Sequence, residues 1–375
     1  MRWKLAGAGV CVLAACGVMM TSEPAPAGAR YDTSAGPVFV ERIADGFDTP
    51  WAVAFLPEGR LLVTELGGRL WYLDGPERRE VAGLPPVRQT GQGGLMDVVA
   101  ARDFATTRQI FLTYTAPDGS ATRTEMAKAR LSEDGARLDN VEVLYRQEPA
   151  IDSARHFGAR VVEAPDGTLW ITQGDRAERP MAQDTANTIG SVLRVARDGS
   201  VPADNPFAKG GGHPLIWSYG HRNPQGAALG LDGQLYTVSH GARGGDEINR
   251  PVKGGNHGWP EVSYGTYYWG GSFPASSRAD TVAPLFYWDP SIAPSGMTIY
   301  SGKLWPEWQG DIFVGALKYQ LVSRVDVEDG RLGSEERLFT GEYGRIRDVR
   351  EGPEGALWFL GNDGVGSLYR ITPAE

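Results

Sequence analysis

The sequence predicts an all-β fold, a six-bladed β-propeller built from four-stranded antiparallel blades. Three observations lead to it. One short pattern recurs six times, a turn, a glycine, a polar residue and then an alternating apolar strand: PEGRLLVTEL (57–66), TRQIFLTYT (107–115), PDGTLWITQG (165–174), LDGQLYTVSH (231–240), WQGDIFVGAL (308–317) and PEGALWFLGN (353–362). Such repeats mark propellers and solenoids, whose units bury a continuous core only by standing side by side. In five of the six copies a glycine stands just before the strand, as tight hairpin turns with positive φ demand. Finally, 50 glycines, 25 prolines and 11 tryptophans among 375 residues describe many short strands and turns, with long helical stretches hard to find.

Taken in order, the first 29 residues read as an export signal and flexible N-terminus, outside the fold. MRWK supplies a basic start, LAGAGVCVLAAC a short apolar core and TSEPAPAGAR a small-residue zone. Leu13-Ala14-Ala15-Cys16 resembles a bacterial lipoprotein box, whereas Ala27-Gly28-Ala29 suits ordinary signal peptidase. The protein is therefore expected to be periplasmic or otherwise exported, either lipid-anchored through Cys16 or released. The apolar run is too short for a comfortable membrane span. Cys11 and Cys16 are the two cysteines, so no disulfide staples residues 30–375, which are expected to form one propeller domain stabilised by its core.

VFVERIADGF (38–47) precedes the first repeat and is expected to close the ring by pairing with the last blade. GGRLWYLD (67–74), SVLRVARDG (191–199), LVSRVDVEDG (321–330) and GSLYRIT (366–372) follow repeat strands and extend their blades. The longest irregular stretches, 176–230 and 242–300, should carry function at the mouth of the central channel, because long loops on a rigid scaffold do so.

A net charge of −9 and the absence of any Lys/Arg run longer than two argue against a nucleic-acid partner. Zinc-type histidine spacing, a GxSxG elbow, CxxC, a P-loop and the dinucleotide glycine fingerprint are all missing from the sequence. A monomer is expected.

Four polar clusters remain. In RHFGAR, His156 stands four residues before Arg160 and nineteen before Asp175, which ends the hairpin PDGTLWITQGD. The hairpin folds 156–162 back on 169–175, so the Asp175 carboxylate can lie beside the imidazole and orient it as a general base. Spacing alone still favours a structural histidine. In WSYGHRNPQG (217–226), Arg222 and Asn223 offer planar donors on a blade-top loop, and a loop arginine capping carbonyls explains them equally well.

In YGRIRDV (343–349), Arg345 and Arg347 are two apart on a strand and share a face. Their charges repel unless an anion sits between them, and Lys318 in GALKYQ adds a third cation. In an acidic protein the group suits a carboxylate or phosphate ligand, with a salt-bridged outer strand as the alternative. In SHGARGGDEINRPVKGGNHGWP (239–260), glycines that free backbone carbonyls beside Asp246 and Glu247 suit a hard cation such as calcium; the alternative is a glycine-rich turn with solvated acids.

Seven motifs, RHFGAR, PDGTLWITQGD, IWSYGHRNPQG, HGARGGDEIN, NHGWP, GALK and RIRDV, occur in the same order as in the soluble dehydrogenases of sugars that depend on pyrroloquinoline quinone (PQQ). From about residue 40 to 372 the chain most closely resembles their shorter aldose sugar dehydrogenase branch. The resemblance implies PQQ over the channel mouth, His156 as catalytic base, Asp175 orienting it, and Arg222 stabilising charge on the quinone oxygen. It implies cofactor contacts from Gln92, Arg222, Asn223, Tyr268, Lys318, Arg345 and Arg347, in keeping with the three carboxylates of PQQ. It also implies calcium on the carbonyls of Gly241 and Ala242, and Glu247 and His257 at a further calcium site.

The implied activity is oxidation of aldose sugars at the anomeric carbon to the lactone, with broad specificity and an electron acceptor that the sequence does not identify. Ala242 stands where the family usually has proline and His257 where it often has tyrosine; ligation through carbonyls tolerates both. Additional loops of the glucose-specific branch are missing, so glucose specificity does not carry over. Two rivals use the same fold. A calcium-dependent lactonase needs Asp, Asn and Glu at the channel centre and leaves Arg345, Arg347 and Lys318 unexplained. A non-catalytic carbohydrate- or protein-binding propeller would use tryptophans such as Trp259 and Trp269.

Overall fold

The computed structural model describes residues 26–374, and among these the strands gather into six antiparallel sheets, five of four strands and one of five. Each recurring pattern supplies the second strand of its sheet: Leu61–Glu65, Gln109–Asp118, Leu169–Gln173, Leu235–Ser239, Ile312–Ala316 and Leu357–Asn362. The strand before each is innermost: Pro50–Phe55, Leu95–Ala100, Gly158–Glu163, Pro224–Leu229, Pro294–Ile299 and Asp348–Glu351. These six follow one another around a ring that returns from the last to the first, the six-bladed propeller expected from the repeats.

The turn chemistry explains why the repeat is so regular. The five repeat glycines, Gly59, Gly167, Gly233, Gly310 and Gly355, all take positive φ, between 73° and 93°. The copy without glycine uses Arg108 at φ 56° instead, a conformation that costs a non-glycine residue energy. Its guanidinium offsets that cost by donating to the carbonyls of Leu131 (2.9 Å) and Ser132 (2.6 Å).

Between blades, alternate residues of facing sheets interlock. Leu169, Ile171, Leu193 and Val195 of blade three meet Phe111 and Met126 of blade two with no exposure. Each such side chain contributes about 1.5–3 kcal/mol by leaving water. The ring closes as expected: Gly36–Phe47 pairs with Gly366–Pro373, and Val38 and Val40 are fully buried. A further strand, Gly28–Thr33, lies outside it, so Gly28 and Ala29, the last two residues of the stretch read as a tail, are paired with Glu41 and Val40. Residues 1–25, with both cysteines, the lipoprotein box and most of the export signal, lie outside the described residues. No helix among the described residues is long and apolar enough to cross a membrane.

The central channel is plugged by charge. Arg160, on the inner strand of blade three, contacts Asp348 (2.9 Å) and Asp97 (3.4 Å), while Arg350 contacts Asp348 (2.8 Å) and Asp97 (2.5 Å). Trp51 lies 4.1 Å under the Arg160 guanidinium. Arg160 also donates to the carbonyl of Gln225 (2.7 Å), so the plug ties blades three and four together just beneath one mouth. Replacing Arg160 by methionine leaves two buried carboxylates with one cation between them. Urea unfolding should show a loss of about 3–5 kcal/mol, and a loss under about 1 kcal/mol would contradict the plug's role.

Candidate active site

Blade three sets the first part of the site. Pairing of Gly158 with Gln173 carries His156, two residues before one strand, onto Asp175, two residues after the other. The His156 Nδ1 and Asp175 Oδ1 atoms are 2.6 Å apart. A Cβ on Gly174 would stand 2.0 Å from the His156 carbonyl oxygen, so only glycine lets the two segments approach this closely. His156 itself is held at φ 53°, and its N–H donates to Gln92 Oε1 (2.8 Å).

Asp175 is fully buried, and its carboxylate also accepts from Trp259 Nε1 (2.7 Å) and from the Ala177 N–H (2.8 Å). Burial pushes the acid upward, but the His156 bond and the nearby charges of His156 and Arg222 outweigh it, so Asp175 stays ionised below the usual carboxylate value. Burial also pushes the His156 imidazole below its ordinary value; the Asp175 bond opposes this and the Arg222 charge adds to it. His156 is therefore neutral near pH 7, with the proton on the nitrogen facing Asp175 and Nε2 free to accept another.

Arg222 and Asn223, immediately before the inner strand of blade four, join this group. Asn223 Oδ1 accepts from the Gly158 N–H (3.2 Å), and the Arg222 guanidinium lies 5.2 Å from the Trp259 ring centre. Both residues are buried, yet Arg222 Nε and Asn223 Nδ2 have no hydrogen-bond partner among the described residues. From blades five and six come Lys318, two residues past the strand Ile312–Ala316, and Arg345 and Arg347. Contrary to the strand reading, the two arginines lie on an irregular lead-in before Asp348–Glu351. They still share a face, because Arg345 N–H donates to Asn362 O and Arg347 N–H to Leu360 O in ladder fashion.

Among the described residues none of Arg222, Lys318, Arg345 and Arg347 forms an ion pair with a carboxylate. Arg222, Arg345 and Arg347 donate to the His240 carbonyl, the Leu317 carbonyl and Gln225 Oε1 respectively, and Lys318 stands 4.8 Å over the Tyr319 ring. Burial, with the charges of Arg345 and Arg160, pushes Arg347 down to about 9. The opposite opening of the channel holds a cavity of about 440 Å³, but its buried Asp97, Arg160, Glu163 and Asp348 and its partly exposed Arg350 are already paired with one another or with Arg197. Unmet ligand-binding capacity therefore lies at the His156 mouth.

The remaining expected residues are placed less uniformly. Gly241 and Ala242 sit in a turn where the carbonyl oxygens of Ala242, Gly244 and Gly245 come within 2.4 Å of where a Cβ on Gly241 or Gly265 would stand, a concentration of hard oxygen donors. Glu247, Asn249 and His257 line a cavity of about 20 Å³. Burial pushes Glu247 up to about 7 and His257 down to about 4, and His257 Nε2 lacks a partner. No group of three or more His, Cys, Asp or Glu side chains among the described residues is arranged for a metal. Tyr268 is 60 % exposed on the blade-four loop, in contrast to the buried cluster.

Two contributions were missed in the sequence, the role of Trp259 beside Asp175, where the sequence suggests only a binding tryptophan, and Arg176 altogether. Trp259 supplies Asp175's second side-chain donor from another blade. Arg176, fully buried with its pKa pushed down to about 10 by burial, lies 3.8 Å from the Phe157 ring. It donates to Gln147 Oε1 (3.0 Å), Thr122 Oγ1 (2.9 Å) and the Ser153 carbonyl (2.6 Å), clamping the loop that presents His156.

A model of the glucose/sorbosone dehydrogenase family matches residues 47–370. The chain belongs to that family, and so to the oxidoreductases. Aldose sugar dehydrogenase YliI of Escherichia coli strain K12 is 41 % identical over 346 residues, covering 90 % of this chain and 93 % of that protein. Quinoprotein glucose dehydrogenase B of Acinetobacter calcoaceticus is 24 % identical over 413 residues, covering 88 % and 86 %. The crystal structure of the soluble E. coli aldose sugar dehydrogenase in its apo form superposes with a TM-score of 0.86 at 41 % identity, over 90 % of this chain and 100 % of that one. The PQQ-bound aldose sugar dehydrogenase of Streptomyces coelicolor superposes with a TM-score of 0.74 at 25 % identity, over 92 % and 99 %.

Two outcomes follow for this member of the glucose/sorbosone dehydrogenase family. An NMR titration of the His156 imidazole should have its midpoint below about 6.5, and Arg222→Gln should raise it by removing a nearby positive charge. A midpoint above 7 would contradict the site's electrostatics. Trp259→Phe keeps the ring but takes one donor from a buried charged acceptor, and should cost about 1.5–3 kcal/mol in chemical unfolding.

Proposed function

We propose that the protein oxidises aldose sugars at the anomeric carbon to the lactone, with PQQ as cofactor and broad tolerance of the sugar. One observation carries the reading: a neutral, oriented imidazole faces a mouth where four cations lack carboxylate partners in a protein of net charge −9. The residues fit the cofactor. PQQ bears three carboxylates, which Lys318, Arg345 and Arg347 would meet, while the unpartnered Arg222 Nε and Asn223 Nδ2 suit the quinone oxygens. Gln92 Oε1 already accepts from the His156 N–H, leaving its Nε2 for the ligand. Tyr268 would close over the cofactor from its loop.

When bound, PQQ supplies the two-electron acceptor that takes the hydride from the anomeric carbon. His156 Nε2 accepts the anomeric hydroxyl proton, and Asp175 stabilises the imidazolium formed by that transfer. Arg176 and Gln92 keep the His156 loop in place during that transfer, and the Arg160 plug closes the channel beneath it. Arg222 offers a preorganised positive charge where negative charge grows.

Calcium is part of the proposal. The Gly241–Ala242 turn offers it hard carbonyl oxygens, whereas Glu247 with the His257 imidazole mixes oxygen and nitrogen donors, a poorer match to a cation that prefers oxygen. Export, with or without a lipid on Cys16, and a monomeric state complete the reading; the electron acceptor stays unassigned. Against a lactonase, the two channel-centre carboxylates Asp97 and Asp348 are both taken by Arg160 and Arg350.

Purified protein supplied with PQQ and calcium should reduce an artificial dye when given glucose, galactose or other aldoses. His156→Ala should abolish this turnover and keep PQQ bound, while Arg345→Ala should mainly weaken PQQ binding. Absence of dye reduction with every aldose, despite bound PQQ, would refute the reading; near-normal turnover in His156→Ala would refute the base.

A further inference from the structure

One cation at the mouth has no part in the chemistry above. Arg179 opens the short turn Arg179–Gln183, four residues after Asp175. Its guanidinium is framed by three aromatic rings, with ring centres at 5.1 Å for Trp269, 5.4 Å for Trp259 and 6.0 Å for Tyr267. Tyr267 and Trp269 stack on each other at 4.7 Å, and Trp269 itself is 73 % exposed. Arg176, Arg222, Arg345 and Arg347 each donate to an acceptor on the protein. Among the described residues the Arg179 guanidinium has these ring contacts but no hydrogen bond or ion pair, not even with its exposed neighbour Glu178.

That arrangement has a physical consequence. Stacking against rings orders a long side chain without using its N–H groups, and leaves the planar edge of the guanidinium free for a bidentate acceptor. The position is also specific. Trp259 bonds to Asp175 through its indole N–H and has Arg222 5.2 Å from its ring centre, so Arg179 stands one indole away from the His156–Asp175 pair. It comes from a loop of blade three and its three rings from the loop of blade four, whereas Lys318, Arg345 and Arg347 come from blades five and six. An anion at Arg179 would thus be separate from the cofactor's carboxylates, and the hydroxyls of a neutral sugar have no need of a cation there.

We propose that Arg179 is the receptor for an acid group at the end of the sugar remote from the anomeric carbon, so that acidic aldoses, hexuronates or hexose 6-phosphates, are preferred substrates. The proposal rests on the dehydrogenase reading above. With the anomeric hydroxyl at His156, the ring spans toward Trp259 and its acid group meets the free guanidinium edge. Carboxylate and phosphate both suit that fork.

The test uses PQQ-loaded wild type, Arg179→Leu and Arg179→Lys, with glucose, galactose, glucuronate, galacturonate and glucose 6-phosphate, and with unreactive methyl glucuronide and methyl glucoside as competitors. In the wild type at least one acidic sugar should exceed its neutral counterpart about tenfold or more in kcat/KM. Arg179→Leu should erase that advantage through KM while holding neutral sugars within about twofold, and Arg179→Lys should keep part of it. Methyl glucuronide should bind more tightly than methyl glucoside in the wild type and equally in Arg179→Leu. Neutral sugars oxidised as well as every acidic one, or equal losses for both in Arg179→Leu, would overturn this proposal and leave the dehydrogenase reading intact. No oxidation of any aldose would overturn both.

Discussion

The buried carboxylate of Asp175 is the interaction on which the site depends. It has no exposure to solvent and takes donors from three directions: the His156 imidazole, the Trp259 indole and the Ala177 backbone. A charge taken out of water is tolerated only when it is paired and hydrogen-bonded in this way. Meeting that requirement joins blade three to the loop of blade four, sets which nitrogen of His156 carries the proton and leaves the other facing the mouth. The geometry follows from ordinary sheet register, since the strand pair of blade three brings residues 156 and 175 together before any ligand is considered.

Charge is distributed very differently along the channel. At its centre two aspartates and two arginines neutralise one another, which seals the ring and lends Arg160 to the carbonyls of Gln225 and Arg347. A few residues above, Arg222, Lys318, Arg345 and Arg347 gather without carboxylate partners. Burying a cation and holding like charges beside it both cost energy, and Arg347 is pushed down first by burial and then by the charges of Arg345 and Arg160. An acidic protein has carboxylates to spare, so leaving these cations unpaired is best understood as preparation for an anionic ligand. The chain's similarity to a PQQ-bound aldose sugar dehydrogenase is what suggests the chemical identity proposed for that ligand.

Much of this was legible in the sequence because it is local or periodic. Six copies of one hairpin specify six blades, and five glycines at positive φ show why the copies look alike. The His156–Asp175 contact could be read from hairpin folding, and the convergence of Arg345, Arg347 and Lys318 from charge alone, although the two arginines lie on a lead-in and only mimic strand pairing. The contact of Trp259 with Asp175, and Arg176 itself, stayed hidden for a physical reason. Trp259 reaches Asp175 from 84 positions away, and Arg176 finds Thr122 and Gln147 in the preceding blade, contacts that no local pattern encodes. The turn at Gly241 shows the same limit, since a glycine-rich stretch announces freedom of the backbone and only the fold shows which carbonyls converge.

The central claim is that the mouth is preorganised for a tricarboxylate quinone through cations that have no carboxylate partner among the described residues. Calorimetric titration of the purified protein with PQQ, repeated from low to high salt, tests it most directly. The account predicts saturation at one equivalent, an affinity that weakens as salt rises, and competition by citrate only at far higher concentration, because citrate matches the charge but has no quinone for Arg222 and Asn223. Failure to bind PQQ, or binding that is indifferent to salt and no tighter than citrate, would contradict it.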